Sequence, residues 1–104
     1  PIIGVIENMS WFTPDDLPDR KYKIFGEGGG KTMAKKSKSV LLAQLPLVPD
    51  VRESSDSGQP IILQESHPAR NYYLEMAKKT AQQVAVRNEV LAPTQIVGVN
   101  IQQQ

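Results

Sequence analysis

The residues best suited to chemistry lie in "IFGEGGGKT", Ile24 to Thr32. Glycines 26, 28, 29 and 30 lead into Lys31 and Thr32. A phosphate-binding loop needs G-x-x-x-x-G-K-[ST]: its amides wrap the phosphates, the lysine reaches the terminal ones and the hydroxyl holds magnesium. Here the spacing fails. With Gly30-Lys31-Thr32 as its end, the loop should open at position 25, which is Phe25, and Gly26 comes one residue late. A shorter loop cannot close the same ring of amides. A second reading is a glycine loop that caps a helix start, since glycine permits positive φ and tight turns. Bare amides there attract anions, and the neighbouring Glu27 would compete for the same dipole.

Other reactive residues are few. The chain has no cysteine, which excludes disulfides and any cysteine-ligated metal or iron–sulfur site built by this chain alone. His67, the only histidine, stands before Pro68 and reads as a solvent-exposed turn or helix-start residue. No G-x-S-x-G motif accompanies it. Asp15 and Asp16 are adjacent and read as part of a solvated turn. No catalytic residue and no metal ligand is assigned. Twelve basic against eleven acidic residues leave a net charge of +1, which argues against a dedicated nucleic-acid binder. The cluster "KTMAKKSK" reads as a solvated helix face. No run approaches the roughly 20 apolar residues of a spanning helix, and no targeting segment is visible. A cytoplasmic protein without a membrane partner is expected.

The elements that must position these residues follow from the apolar pattern. "IIGVIEN" and "VLLAQLPLV" (Val40 to Val48) are near-continuous apolar runs, as in parallel strands covered on both faces. Gly4 inside the first suggests close approach of another backbone. A short helix over Lys31 to Ser39 completes a right-handed βαβ unit. "KYKIF" (21–25) reads as a short edge strand with Lys21 and Lys23 facing water. One helical turn is expected at Val51 to Ser54. A long helix then spans 65–91, with Ser66 as N-cap and Pro68 in its first turn. Tyr73, Met76, Ala77, Thr80 and Val84 make its apolar face. Pro93 ends it, and residues 93–104 are an added strand or a tail. Residues 1–92 are thus expected to be the C-terminal part of a doubly wound, mostly parallel α/β sheet with flanking helices. Two strands make a thin core, and the abrupt start at Pro1 reads as a cut through a larger protein.

The series "GVIENMSWF", "IFGEGGGKTMA" and "LLAQLPLVPDVRESSDSGQPI" resembles the C-terminal part of the Mrp/ApbC family of P-loop ATPases, over roughly Ile2 to Val84. These are relatives of MinD and the nitrogenase iron protein, implicated in carrying iron–sulfur clusters. The resemblance implies several things. The ATP-binding glycine loop lies far upstream of "ENMS", outside these residues, so this chain alone is inactive as an ATPase. Asn8 lies beside the adenine ring of ATP, which is bound with Mg²⁺ in the complete protein. The other reading of Asn8 is a turn residue capping local backbone. Pro46, Leu47 and Val48 form the other wall of the base pocket. Arg52 and Glu53 lie near a homodimer face, or are a surface ion pair. Iron–sulfur acceptor or scaffold proteins are implied partners. Many members carry C-P-x-C soon after "ENMS"; here "WFTPDDLPDRKY" offers Thr13, Pro14, Asp15 and Asp16, which are not iron–sulfur ligands. The chain reads as a cysteine-free variant. Two other functions stay open: a stand-alone interaction module without nucleotide chemistry, and a small domain that binds phosphate through "GEGGGKT" directly.

Overall fold

The computed structural model describes residues 1–90. The fold is α/β. Strand β1 (Gly4–Glu7) leads through a long excursion to helix α1 (Gly29–Lys36), then to strand β2 (Val40–Gln44). Helix α2 (Pro49–Asp56), a 3₁₀ turn (Ile61–Leu63) and helix α3 (Arg70–Val90) follow. The expected tail or strand at 93–104 and the helix end at Pro93 lie outside the described residues.

The two strands are parallel, as the apolar runs predict. Gly4 lies opposite Val40 and Val5 opposite Leu41; the register then shifts, so that Ile6 faces Ala43 and Glu7 faces Gln44. Leu42 is the extra residue of this bulge. Side chains alternate across the sheet. Leu41 meets α1 at Gly30, whereas the buried Leu42 shares a hollow with Tyr72 and Glu75 of α3. Helices therefore cover the pair from both sides, though incompletely. Ile6 and Val40 remain 44% and 41% exposed, and among the described residues the sheet has two strands. The buried apolar core is small: Trp11, Ala34, Leu42, Leu45, Ile61 and Ala69.

Local rules place the helices. α1 starts after Gly28, whose φ of 85° is left-handed and suits glycine. Its lysines 31, 35 and 36 face solvent, as "KTMAKKSK" suggests, and Lys35 and Lys36 sit in the last turn, where cations favour the dipole. α2 is longer than the single turn expected. Pro49 opens it and Asp50 occupies its first turn, both favourable there. α3 begins at Arg70, later than the sequence suggests. Ser66 is not its cap. Instead the His67 ring turns back, and its Nδ1 accepts the Ala69 N–H at 3.0 Å. The apolar face of α3 is only half-buried at Tyr73, Met76, Thr80 and Val84, with Ala77 exposed.

"KYKIF" forms no strand. Tyr22 alone pairs, in an antiparallel bridge with Phe12 whose two N–H···O bonds are each 2.8 Å. Lys23 and Glu27 form an exposed ion pair just beyond it. The bridge closes residues 13–21 into a loop. Phe12 also bridges Leu47 in parallel, so the base of the loop is stitched to the segment after β2.

Gly4 is required for space. A Cβ there would lie 2.5 Å from Leu42 Cγ, a side-chain approach rather than the backbone approach expected. Gly4→Ala should lower stability by about 1–3 kcal/mol through overpacking, read as a reduced urea midpoint with an unchanged slope.

Candidate functional site

The site lies beyond the C-terminal ends of β1 and β2, where ligands of open parallel sheets bind. The chain continues side by side past the strands. Leu45 N–H donates to Glu7 O at 2.9 Å, Ser10 N–H to Leu45 O at 2.8 Å, and Leu47 N–H to Trp11 O at 2.7 Å. Residues 8–11 and 45–47 are thereby held together.

Glu7 is the hub of this junction. Its Oε2 accepts the Gly30 N–H at 2.9 Å, in the first turn of α1. Its Oε1 accepts the Gln44 side-chain amide at 2.8 Å and the Ser10 hydroxyl at 2.9 Å. Gln44, then Gly30, then Ser10 hold the Glu7 carboxyl below the usual carboxylate range, with the charge of Lys23 adding a little. Gly30 has a steric reason to be glycine. A Cβ on Gly30 would lie 2.8 Å from Glu7 Cβ and 3.0 Å from Leu41 Cδ1. The loop thus admits a carboxylate of its own chain to the start of α1. The carboxylate is not that of Glu27, as adjacency suggests; Glu27 Oε2 instead takes Lys23 Nζ at 2.7 Å. Lys31 and Thr32 are exposed on the helix.

Asn8 follows Glu7 and is exposed. Its Oδ1 accepts the Met9 N–H at 2.9 Å, a local turn contact in a turn where Met9 has a φ of 54°. The Asn8 amide NH₂ points to no protein acceptor among the described residues. Pro46 is buried; Leu47 and Val48 are half-buried. These three line a hollow of about 190 Å³ with Phe12, Thr13 and Asp15. Asn8 does not border that hollow, so the pair of expected walls is brought to the same end of the sheet but not into one cavity.

A larger hollow of about 560 Å³ adjoins it between the 13–21 loop and the starts of α2 and α3. Trp11 is its buried wall, met edge-on by Tyr72 with centroids 5.3 Å apart. Lys21 Nζ lies 4.3 Å from the Trp11 ring centroid, a cation–π contact. His67 is on its rim and is not the exposed residue expected: its side chain is 15% exposed. Because Nδ1 accepts the Ala69 N–H, the neutral ring carries its proton on Nε2 and donates it to Asp50 Oδ2 at 2.9 Å. This contact ties the start of α2 to the turn that precedes α3. Arg52 pairs with Asp56 at 3.7 Å, both exposed, rather than with Glu53. No group of three His, Cys, Asp or Glu among the described residues is placed to hold a metal ion.

Sequence reading missed Glu7 and the Asp50–His67 pair. A carboxylate ending an apolar strand was the visible signal for the first. Nothing local marked the second.

The comparisons agree with this architecture. The family model described as "ParA: NUBPL iron-transfer P-loop NTPase" matches residues 1–84. An iron-sulfur cluster carrier protein of Synechocystis is 41% identical over 86 residues, covering 82% of this chain and 24% of the relative. One from Pyrococcus horikoshii is 40% identical over 79 residues, 76% of this chain and 26% of its own length. The iron-sulfur cluster transfer protein NUBPL of Dictyostelium discoideum is 36% identical over 89 residues, 85% and 27% respectively. The chain belongs to this family of iron-transfer P-loop NTPases, and spans about a quarter of the length of the curated relatives it matches.

The lowered pKa of Glu7 carries a pH dependence. A carboxylate held below its unfolded value of about 4.3 stabilises the fold above that value. The contribution is lost as pH falls through the lower folded value. Stability should therefore drop below about pH 4.3. Glu7→Gln should flatten that part of the profile, measured by urea unfolding at stepped pH.

Proposed function

We propose that this chain is the C-terminal portion of an ATP-binding, ATP-hydrolysing iron–sulfur cluster carrier. It supplies the adenine-side and dimer-side part of the nucleotide site, while the phosphate-binding loop comes from sequence outside these residues. The supporting observation is the placement of Asn8 and of Pro46, Leu47 and Val48 just past the ends of adjacent parallel strands. Asn8 fits a purine edge: it is exposed, and its amide NH₂ lacks a protein acceptor among the described residues. A carboxamide offers a purine both a donor and an acceptor. ATP with Mg²⁺ would supply the phosphoryl chemistry when bound. This chain's own residues bind and orient the base and exclude water from one side of it.

The cluster is cargo in this reading. With no cysteine in the chain, its thiolate ligands must come from elsewhere. The relatives' printed names support the cargo, and a homodimer that hands clusters to acceptor proteins in the cytoplasm is the assembly we propose. No helix among the described residues is long and apolar enough to cross a membrane.

One observation favours a second reading, an interaction module without nucleotide chemistry. Ile24 and Phe25 before the glycine loop and Met33 after it are 58%, 69% and 56% exposed, and such apolar surface suits a protein partner.

The native polypeptide decides between them. An antibody against this chain should capture a band well above 11.5 kDa. Mass spectrometry should find peptides with a glycine-rich Lys-Ser/Thr loop upstream of Pro1. A band of the chain's own size would favour the module. In the captured protein, Asn8→Ala should weaken ATP binding about three- to tenfold, the effect of losing one or two ordinary hydrogen bonds. Lys31→Ala should leave ATP affinity unchanged, since the Gly30 amide beside it is already held by Glu7. Loss of binding in Lys31→Ala would return the phosphate site to the glycine loop.

A further inference from the structure

We infer that Glu7 is the positioning residue of the Asn8 turn, coupling the presentation of Asn8 to the glycine-loop start of α1. The inference rests on the base-side reading of Asn8 given above. Residues 8–10 bend at the end of β1, and Met9 holds a left-handed φ of 54°, uncommon for a residue with a side chain. The restraint comes from the flanks. Ser10 is 8% exposed, and its hydroxyl turns back to Glu7, 2.9 Å from both the Glu7 carbonyl oxygen and Oε1. The same carboxylate reaches Gly30 N–H across 23 residues of sequence and Gln44 across 37. One side chain therefore joins the Asn8 turn, the end of β2 and the start of α1.

The three contacts suit a carboxylate. Gly30, Gln44 and Ser10 all present donors, and an ionised carboxylate is acceptor-only. A glutamine at position 7 keeps one oxygen for Gly30 and puts its NH₂ in the place of Oε1, so that Gln44 and the Ser10 hydroxyl must both reorient and the charge-assisted bonds become neutral ones. Exchanging the two side chains restores the pairing. In Glu7→Gln/Gln44→Glu the new amide oxygen still accepts from Gly30, its NH₂ in the place of Oε1 donates to the new carboxylate, and the Ser10 hydroxyl keeps its bond to the residue-7 carbonyl oxygen. A displacement of α1 pulls on Glu7, and through Ser10 on the turn that carries Asn8.

The test uses the full polypeptide that carries this chain. Amide hydrogen exchange at Ser10 and Gly30 reports the turn without any nucleotide, with α3 amides as the internal control. In Glu7→Gln, exchange at Ser10 and Gly30 should accelerate at least about tenfold over the control, as expected for loss of hydrogen bonds to a charged group. The exchanged pair Glu7→Gln/Gln44→Glu should restore it. The preference for ATP over inorganic tripolyphosphate should fall about three- to tenfold and return in the double variant. If Glu7→Gln proves unstable, Ser10→Ala gives the milder form: faster exchange at the turn with Gly30 still protected. Uniform acceleration across α3, or equal weakening of ATP and tripolyphosphate, would mean a merely structural role and overturn the inference. Unchanged exchange at Ser10 and Gly30 would overturn it too. Asn8→Ala tests the base reading separately. If it leaves the ATP preference intact, that reading falls, and the exchange result alone decides whether Glu7 sets the turn.

Discussion

A single carboxylate at the start of a helix organises this molecule. The first amides of α1 have no partner within the helix and carry its positive end. Glu7 meets one of them at Gly30, and so joins the first strand to the crossover helix at its near end. Two conditions make the contact possible. Gly30 lacks the Cβ that would collide with Glu7, and Gly28 takes the left-handed turn that aims the amides inward. At Gly30 the glycine run meets an internal anion, and its lysine and threonine lie exposed on the helix.

From that junction the rest of the site follows. Glu7 aligns the ends of β1 and β2, and the backbone bonds from Leu45 and Leu47 continue the pairing beyond the strands. Trp11 and Phe12 are thereby placed over the start of α3 and beside Leu47. The Phe12–Tyr22 bridge closes the 13–21 loop on one side, while the Asp50–His67 bond joins the start of α2 to the turn that precedes α3 on the other. The larger hollow is the space between these two closures. Its walls combine aromatic faces, a lysine and a carboxylate-bound imidazole.

The sheet is small. Among the described residues its two parallel strands leave Ile6 and Val40 partly in water, and α3 packs with a half-buried face. Parallel pairs in other proteins lie inside wider sheets with both faces covered. The matched relatives are about four times longer than the matched segment, so their sheets have further sequence to draw on.

The sequence by itself determined the local and the periodic. Apolar runs marked β1 and β2 as parallel strands, the interval between them required a crossover helix, and counting residues put "GEGGGKT" one residue short of the G-x-x-x-x-G-K-[ST] spacing. Motif order sufficed for the family. What it could not show was any contact between residues far apart in the chain. Glu27 stood next to the glycines, yet Glu7, 23 residues from Gly30, took the amide, because the parallel pairing brings a strand end under the helix start. His67 looked exposed beside its proline, and met Asp50 only when the turn before α3 folded against the start of α2. "KYKIF" alternated like a strand but found one residue to pair with, since alternation describes a face and not a neighbour. Patterns of period and spacing are written along the chain. Which carboxylate meets which amide depends on distances that exist only once the chain has folded.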